Sequence, residues 1–240
     1  MVRRIGILTG GGDAGGLNAV IESVVRFAAH EGWEVDGIRK GWEGAIFGDR
    51  TPLRISDVEG THSETGTRIL TSRTNPYNYT GCLNGEFVTE ANVSNLVIEN
   101  ARRAGLEAIV VCGGDDTLSV APKLVRDYGD AILFVGVPKT MDGDLQVYSL
   151  GLDTAINRAM QVIRGFIPVL KANGSIGFVE IFGRDVGRVP FKAGIAAGAD
   201  VILVPEIPID LDYTVNFIAD RYDERARSNN GITYIMVAIA

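Results

Sequence analysis

Several features are scarce or missing in this 240-residue sequence, and each absence excludes a class of protein. The only cysteines, Cys82 and Cys112, are too few and too far apart for a CxxC metal site or a disulfide framework, so a reducing cytoplasm is expected. The net charge of −7 argues against a nucleic-acid partner held through phosphate contacts. No apolar run approaches the roughly 20 residues that cross a bilayer, and the N-terminus reaches glycine too soon for a signal peptide. We therefore expect a cytoplasmic protein with neither a nucleic-acid nor a membrane partner.

Glycine, by contrast, is abundant, with 30 residues, and it clusters directly after apolar runs. Apolar runs followed by helical patterns predict strands at 4–9, 107–114 and 131–140, and further strands are predicted at 175–183, 201–206 and 232–240. Strands that are apolar throughout and alternate with helices predict an α/β fold, with a mostly parallel sheet covered by helices on both faces. Ligands bind beyond the carboxyl ends of such strands, where the glycine clusters lie. The polar region 39–85 is predicted to be a long, functional loop with short helices at best.

The first glycine cluster, "GGGDAGG" at 10–16, lies between a predicted strand and a predicted helix. Free backbone N–H groups at a helix N-terminus suit a phosphate. The cluster matches neither a Walker A motif nor a good GxGxxG fingerprint. A second interpretation is that the glycines only turn a tight corner.

Acidic residues follow two further apolar runs. Asp115 and Asp116 are adjacent in "CGGDDTL", and Asp142 and Asp144 follow Lys139 in "GVPKTMDGDL". If these acids share one cleft, they need a cation or a proton, and Mg²⁺ prefers carboxylates together with phosphate oxygens and water. The alternatives are that the acids occupy solvated turns, or that Asp116 is only a helix N-cap.

Seven segments, in order, resemble the successive motifs of the phosphofructokinase family. They are "IGILTGGGDAGGLNAVI", "TGTRILTSR", "CGGDDTL", "GVPKTMDGDL", "GLDTA", "EIFGR" and "GADVILVPE". The resemblance covers essentially the whole chain and implies Rossmann-type subdomains, with 1–138 binding the phosphoryl donor and 139–240 binding the sugar phosphate. It also implies a homo-oligomer, either dimer or tetramer. The family usually continues well beyond this length, so the second subdomain is expected to be incomplete.

The resemblance also implies roles for individual residues. Asp142 matches the general base that acts on the 1-hydroxyl of fructose 6-phosphate, Thr140 lies beside the transferred phosphoryl group, and Asp115 is associated with Mg²⁺. The residues expected to bind the donor are Gly11, Arg73, Gly114 and Asp116, and those expected to contact the sugar, besides Thr140 and Asp142, are Phe182, Gly183, Arg184 and Glu206.

Departures from the family's pattern suggest which donor is used. Members that use ATP carry glycine at the position of Asp116, where the α-phosphate passes close to the backbone. An aspartate fills that space and repels the phosphate, so the predicted donor is pyrophosphate, and Lys139 supplies a compensating catalytic charge. Gly143 replaces an asparagine of the family, which is expected to change loop flexibility. The alternatives are an ATP-dependent phosphofructokinase and a non-catalytic regulatory subunit or inactive fragment.

Overall fold

The computed structural model of the chain describes residues 3–143, 147–228 and 231–240. The strands in this part are β1 (Arg4–Thr9), β2 (Glu34–Ile38), β3 (Arg50–Leu53), β4 (Tyr79–Leu83), β5 (Glu86–Ala91), β6 (Ala108–Gly113), β7 (Leu133–Thr140), β8 (Leu150–Gly151), β9 (Ile176–Glu180), β10 (Val201–Leu203) and β11 (Ile235–Ile239). The helices are α1 (Leu17–His30), α2 (Trp42–Phe47), α3 (Ile55–Val58), α4 (Ser94–Arg103), α5 (Asp115–Leu118), α6 (Val120–Tyr128), α7 (Leu152–Asn173), α8 (Arg188–Ala197) and α9 (Leu211–Ser228), with a 3-10 turn at Thr61–Ser63.

The chain divides into two compact units. Unit 1 comprises Met1–Thr140 and Val147–Gly151, and unit 2 comprises Met141–Gln146 and Leu152–Ala240. The structure groups Lys139 and Thr140 with the first unit, whereas the sequence placed the division before Lys139. Among the described helices, none is both long and apolar enough to cross a membrane.

Unit 1 is built on a six-stranded sheet in the order β3-β2-β1-β6-β7-β8. All of its strand pairs are parallel except β2 with β3. One face packs against α1 through residues such as Ile7 and Ile21, and the other packs against α2, α4 and α6 through residues such as Val111 and Leu124. This arrangement confirms the predicted α/β fold, because a parallel strand covered on both faces must be apolar throughout.

Unit 2 contains a parallel three-stranded sheet in the order β10-β11-β9. Met236 and Ala238 of the central strand pack with residues of α7 and α8, whereas Ile235 and Val237 pack with Ile218 of α9. Because side chains alternate along a strand, this pattern places helices on both faces of the sheet.

The prediction that 39–85 is a loop with short helices at best was wrong about its strands. This region contains β3 at the edge of the unit 1 sheet and β4, which pairs with β5 in a hairpin. The sequence of β3 shows no apolar run, because the strand is only four residues long and every second residue is exposed. Its Pro52 is compatible with an edge strand.

Glu22 on α1 is a buried acid that binds the middle of this region, around Gly60 and His62. Its carboxylate accepts hydrogen bonds from Arg26 Nε at 2.8 Å, from the His62 backbone N–H at 3.0 Å and from the Gly60 backbone N–H at 3.4 Å. Arg26 foremost, then the His62 side chain, whose Nδ1 lies 3.1 Å from Glu22 Oε2, and the two backbone N–H groups lower the pKa of Glu22 to about 2, against 4.5 for an ordinary glutamate. Because the folded-state pKa is depressed, the stabilisation is complete above about pH 4.5 and is lost as the pH falls toward about 2.

Glu22→Gln is therefore expected to lower the Tm at pH 7, and the difference from the parent should shrink in acid. Thermal unfolding between pH 7 and pH 3 measures this difference. Glu31→Gln is the control, because Glu31 lies just past the end of the same helix with an exposed side chain. A difference that stays constant down to pH 3 would show that the charge of Glu22 does not contribute.

Candidate active site

The candidate site of unit 1 lies at the carboxyl edge of its sheet. β1 ends at Thr9, β6 at Gly113 and β7 at Thr140, and these three strands are neighbours. The chain order reverses between β1 and β6, since β1 pairs with β2 on one side and with β6 on the other. A crevice at such a reversal is the usual ligand site of an open α/β sheet.

The glycine cluster after β1 is more constrained than the sequence suggested. The Gly10 N–H donates to Cys112 O at 2.9 Å, and the Gly11 N–H donates to Ser72 O at 2.8 Å. The prediction of free backbone N–H groups was therefore wrong for these two glycines. Gly11 has a φ of +83°, a conformation that favours glycine, and a Cβ on Gly12 would meet no atom within 4 Å.

Lys139 lies beside this loop and is 6% exposed. Its Nζ donates a hydrogen bond to Gly12 O at 2.7 Å, and a Cβ on Gly11 would lie 3.4 Å from the same nitrogen. Cys112 is also close: burial raises its pKa to about 12 despite the opposing effect of Lys139. The ammonium group is therefore fixed at the loop, while this thiol stays protonated and unreactive.

The two adjacent acids form the first turn of α5. Asp115 and Asp116 are both exposed, and the N-cap position is occupied by Gly114. The alternative that Asp116 serves only as an N-cap is therefore wrong. Two carboxylates at a helix N-terminus are tolerated because the N–H dipoles there favour negative charge.

Thr117 and Trp42 position this acidic turn, and the sequence analysis missed both. The Thr117 side chain fills the space between two strand-end glycines: a Cβ would lie 2.5 Å from Thr117 Cγ2 if placed on Gly10, and 2.5 Å from Thr117 Cβ if placed on Gly113. The indole N–H of Trp42, which is 1% exposed, donates to Thr117 O at 3.0 Å. The only sign of Thr117 in the sequence was the presence of glycine at positions 10 and 113. That a side chain at either position would collide with Thr117 is visible only in the structure.

The segment before Arg73 is fastened to the glycine loop. Thr71 Oγ1 donates to Gly11 O at 2.7 Å, next to the bond from the Gly11 N–H to Ser72 O. Arg73 itself is exposed, and among the described residues its side chain has no hydrogen bond or ion pair. Arg73 therefore follows directly after the segment that is bonded to the glycine loop.

Asp142 opens unit 2, two residues after the buried Thr140 ends β7. Asp142 is half-buried, and Gly143 is buried with a φ of +70°. Asp144, the other acid of this motif, lies outside the described residues.

The remaining predicted sugar contacts also lie in unit 2. Phe182 is 64% exposed, Gly183 follows it, and Arg184 forms an exposed ion pair with Asp185 at 2.7 Å. Glu206 Oε1 accepts the Gly187 N–H at 2.8 Å, which joins the end of the "PE" motif to the loop that follows Arg184.

The carboxyl edge of this mostly parallel sheet carries glycines, paired carboxylates and a buried lysine, and it is at this edge that open α/β sheets usually bind their ligands. Residues 4–239 match the family model described as Phosphofructokinase. The chain therefore belongs to the phosphofructokinase family.

Individual relatives fall into two groups by name. The pyrophosphate–fructose 6-phosphate 1-phosphotransferase of Amycolatopsis methanolica is 41% identical, covering 92% of this chain and 62% of the relative. The ATP-dependent 6-phosphofructokinase 1 of Thermus thermophilus is 39% identical, covering 87% of this chain and 62% of the relative. The chain thus spans about 62% of the length of these relatives.

Solved structures share the fold. Phosphofructokinase from Saccharomyces cerevisiae is 26% identical with a TM-score of 0.78, covering 99% of this chain and 33% of that protein. A pyrophosphate-dependent phosphofructokinase from Marinobacter aquaeolei has a TM-score of 0.81 at 20% identity, covering 99% of this chain and 60% of that protein.

Proposed function

We propose that this chain transfers a phosphoryl group from pyrophosphate to the 1-hydroxyl of fructose 6-phosphate, giving fructose 1,6-bisphosphate and phosphate, a step of glycolysis. The observation that carries the choice of donor is Asp116. Its carboxylate is exposed in the first turn of α5, beyond the strand-end glycines of β6. A nucleotide's α-phosphate would meet both its bulk and its charge, whereas a donor with only two phosphates ends short of it.

Unit 1 supplies the donor site in this proposal. The Lys139 ammonium, held at Gly12 O, and the free guanidinium of Arg73 offer two positive charges to the phosphates. Fixed cations stabilise charge on a phosphoryl group without reorganising during the reaction. Gly11 and Gly114 leave space for the phosphates to approach the backbone.

Magnesium fits the acidic turn as a partly hydrated ion. No group of three or more His, Cys, Asp or Glu side chains within the described residues could hold a metal by itself. Mg²⁺ commonly keeps several waters and binds through one or two carboxylates plus substrate phosphates, which Asp115 and pyrophosphate would provide. When bound, the ion would neutralise part of the donor's negative charge.

Unit 2 supplies the acceptor site and the base. Asp142 takes the proton from the 1-hydroxyl as that oxygen bonds to phosphorus, and the bridging P–O bond of pyrophosphate breaks to release phosphate. Thr140 lies beside the transferred group, while Phe182, Gly183, Arg184 and Glu206 contact the sugar. We also propose that the protein works as a homo-oligomer, a dimer or tetramer, in the cytoplasm.

The second candidate is an ATP-dependent phosphofructokinase. The relative of Thermus thermophilus named for ATP is 39% identical, close to the 41% of the Amycolatopsis methanolica relative named for pyrophosphate. Overall identity therefore does not separate the two donors.

The donor assignment is tested by Asp116→Gly, with kcat/KM measured for pyrophosphate and for ATP. We expect the parent to prefer pyrophosphate, and the variant to gain ATP use because both bulk and charge leave the α-phosphate position. Asp116→Asn is the matched control, since it keeps the bulk and removes only the charge, so it should gain much less. A parent that already prefers ATP would contradict the assignment and favour the second candidate.

A further inference from the structure

Gly143, next to the proposed base, makes room for an arginine. A Cβ placed on Gly143 would lie 2.9 Å from both Cδ and Nη1 of Arg188. Its φ of +70° is also a conformation that side chains rarely adopt. The glycine that replaces the family's asparagine therefore lets the Arg188 side chain lie against the turn that carries Asp142.

Arg188 is exposed, and its charge is not used elsewhere in the described part of unit 2. Its guanidinium has no hydrogen bond or ion pair to any described residue. Arg184, in contrast, donates two hydrogen bonds to Asp185, at 2.9 and 2.7 Å. The guanidinium donors of Arg188 therefore remain available to a ligand.

The position of Arg188 is also unfavourable for the helix that contains it. Arg188 is the first residue of α8, a helix of ten residues with no acidic side chain in its first turn. A positive charge at a helix N-terminus is repelled by the helix dipole, whereas an anion there is stabilised. An anionic ligand would resolve this conflict, because it would bind the guanidinium and also benefit from the dipole.

We infer that Arg188 binds the transferred phosphoryl group, the phosphate on carbon 1 of the product. This inference rests on the proposed function, in which the neighbouring Asp142 contacts the oxygen that becomes phosphorylated. Arginine suits this role because its planar guanidinium can donate two parallel hydrogen bonds to one phosphate. Fructose 1,6-bisphosphate carries the group that Arg188 recognises, and fructose 6-phosphate lacks it.

The test is an NMR titration of the full chain with each sugar phosphate, which measures weak dissociation constants. Arg188→Gln should weaken fructose 1,6-bisphosphate binding about tenfold or more, because a charge-assisted contact is lost. Binding of fructose 6-phosphate should change by less than about threefold, since the ligand lacks that phosphate. Arg188→Lys should lose less affinity than Arg188→Gln, because lysine keeps the positive charge but cannot donate two parallel hydrogen bonds to one phosphate.

Lys192→Gln is the matched control. Lys192 is an exposed cation of the same helix, four residues on, so this change removes one positive charge without touching the Gly143 turn. It should leave both dissociation constants unchanged. The Tm of Arg188→Gln should be equal to or slightly above that of the parent, because the helix loses a repulsive charge, whereas a merely structural arginine would lower it.

Gly143→Ala provides an independent variant, since a methyl group there must displace Arg188. It should weaken fructose 1,6-bisphosphate binding in the parent and add little in an Arg188→Gln background. If Arg188→Gln binds the bisphosphate as the parent does, or loses both ligands equally, the inference is overturned while the proposed function stands. A folded parent that binds neither sugar phosphate would overturn the proposed function and this inference with it.

Discussion

Asp142→Asn is expected to lower kcat by about 10²–10⁴, with little change in the affinity for pyrophosphate. Asparagine keeps the size of the side chain and much of its hydrogen bonding but cannot accept the hydroxyl proton. The donor site lies in unit 1 in our proposal, so its affinity should not depend on the charge at residue 142. Steady-state kinetics with both substrates varied, together with direct titration of pyrophosphate, separate the two effects.

Asp220→Asn is the control for this change. Asp220 is an exposed aspartate in α9 of the same unit, so the variant has the same change of charge away from the proposed site. It should keep parental kcat. If a folded Asp142→Asn protein loses less than tenfold, Asp142 is not the base, and another group must accept the proton.

Lys139→Met should have the second largest effect, a fall of about 10²–10³ in kcat/KM for pyrophosphate. Methionine retains the length of the side chain, which suits a position that is 6% exposed, but removes the cation held 2.7 Å from Gly12 O. In our proposal, the charge that develops on the donor phosphates then loses a fixed partner. The measurement is kcat/KM for pyrophosphate at saturating sugar phosphate.

Lys123→Met is the matched variant in unit 1. Lys123 lies on α6, where its ammonium stands 5.8 Å from the centre of the Tyr77 ring. Removing this charge should leave donor kinetics unchanged, which separates a local effect from a change in net charge. Equal losses in both lysine variants would indicate that general charge, and not the position of Lys139, governs donor use.

The amino-acid sequence alone predicts the fold class and the edge of the sheet where ligands are expected. The runs ending at Thr9 and Gly113 are apolar because these parallel strands are largely buried on both faces, so their pattern is visible without a structure. The ordered motifs likewise sufficed to identify the family, which the match over residues 4–239 confirmed. These signals are local, and each can be read from a few neighbouring residues.

The groups that occupy the space around the motifs are visible only in the folded chain. The Gly11 N–H is taken by Ser72 O, Thr117 fills the space that two glycines leave, and Arg188 lies against Gly143. Gly11 and Ser72, Gly10 and Thr117, and Gly143 and Arg188 are each separated by tens of residues in the chain. The sequence shows where a glycine stands. Which side chain excludes a larger residue at that position depends on how distant segments pack together.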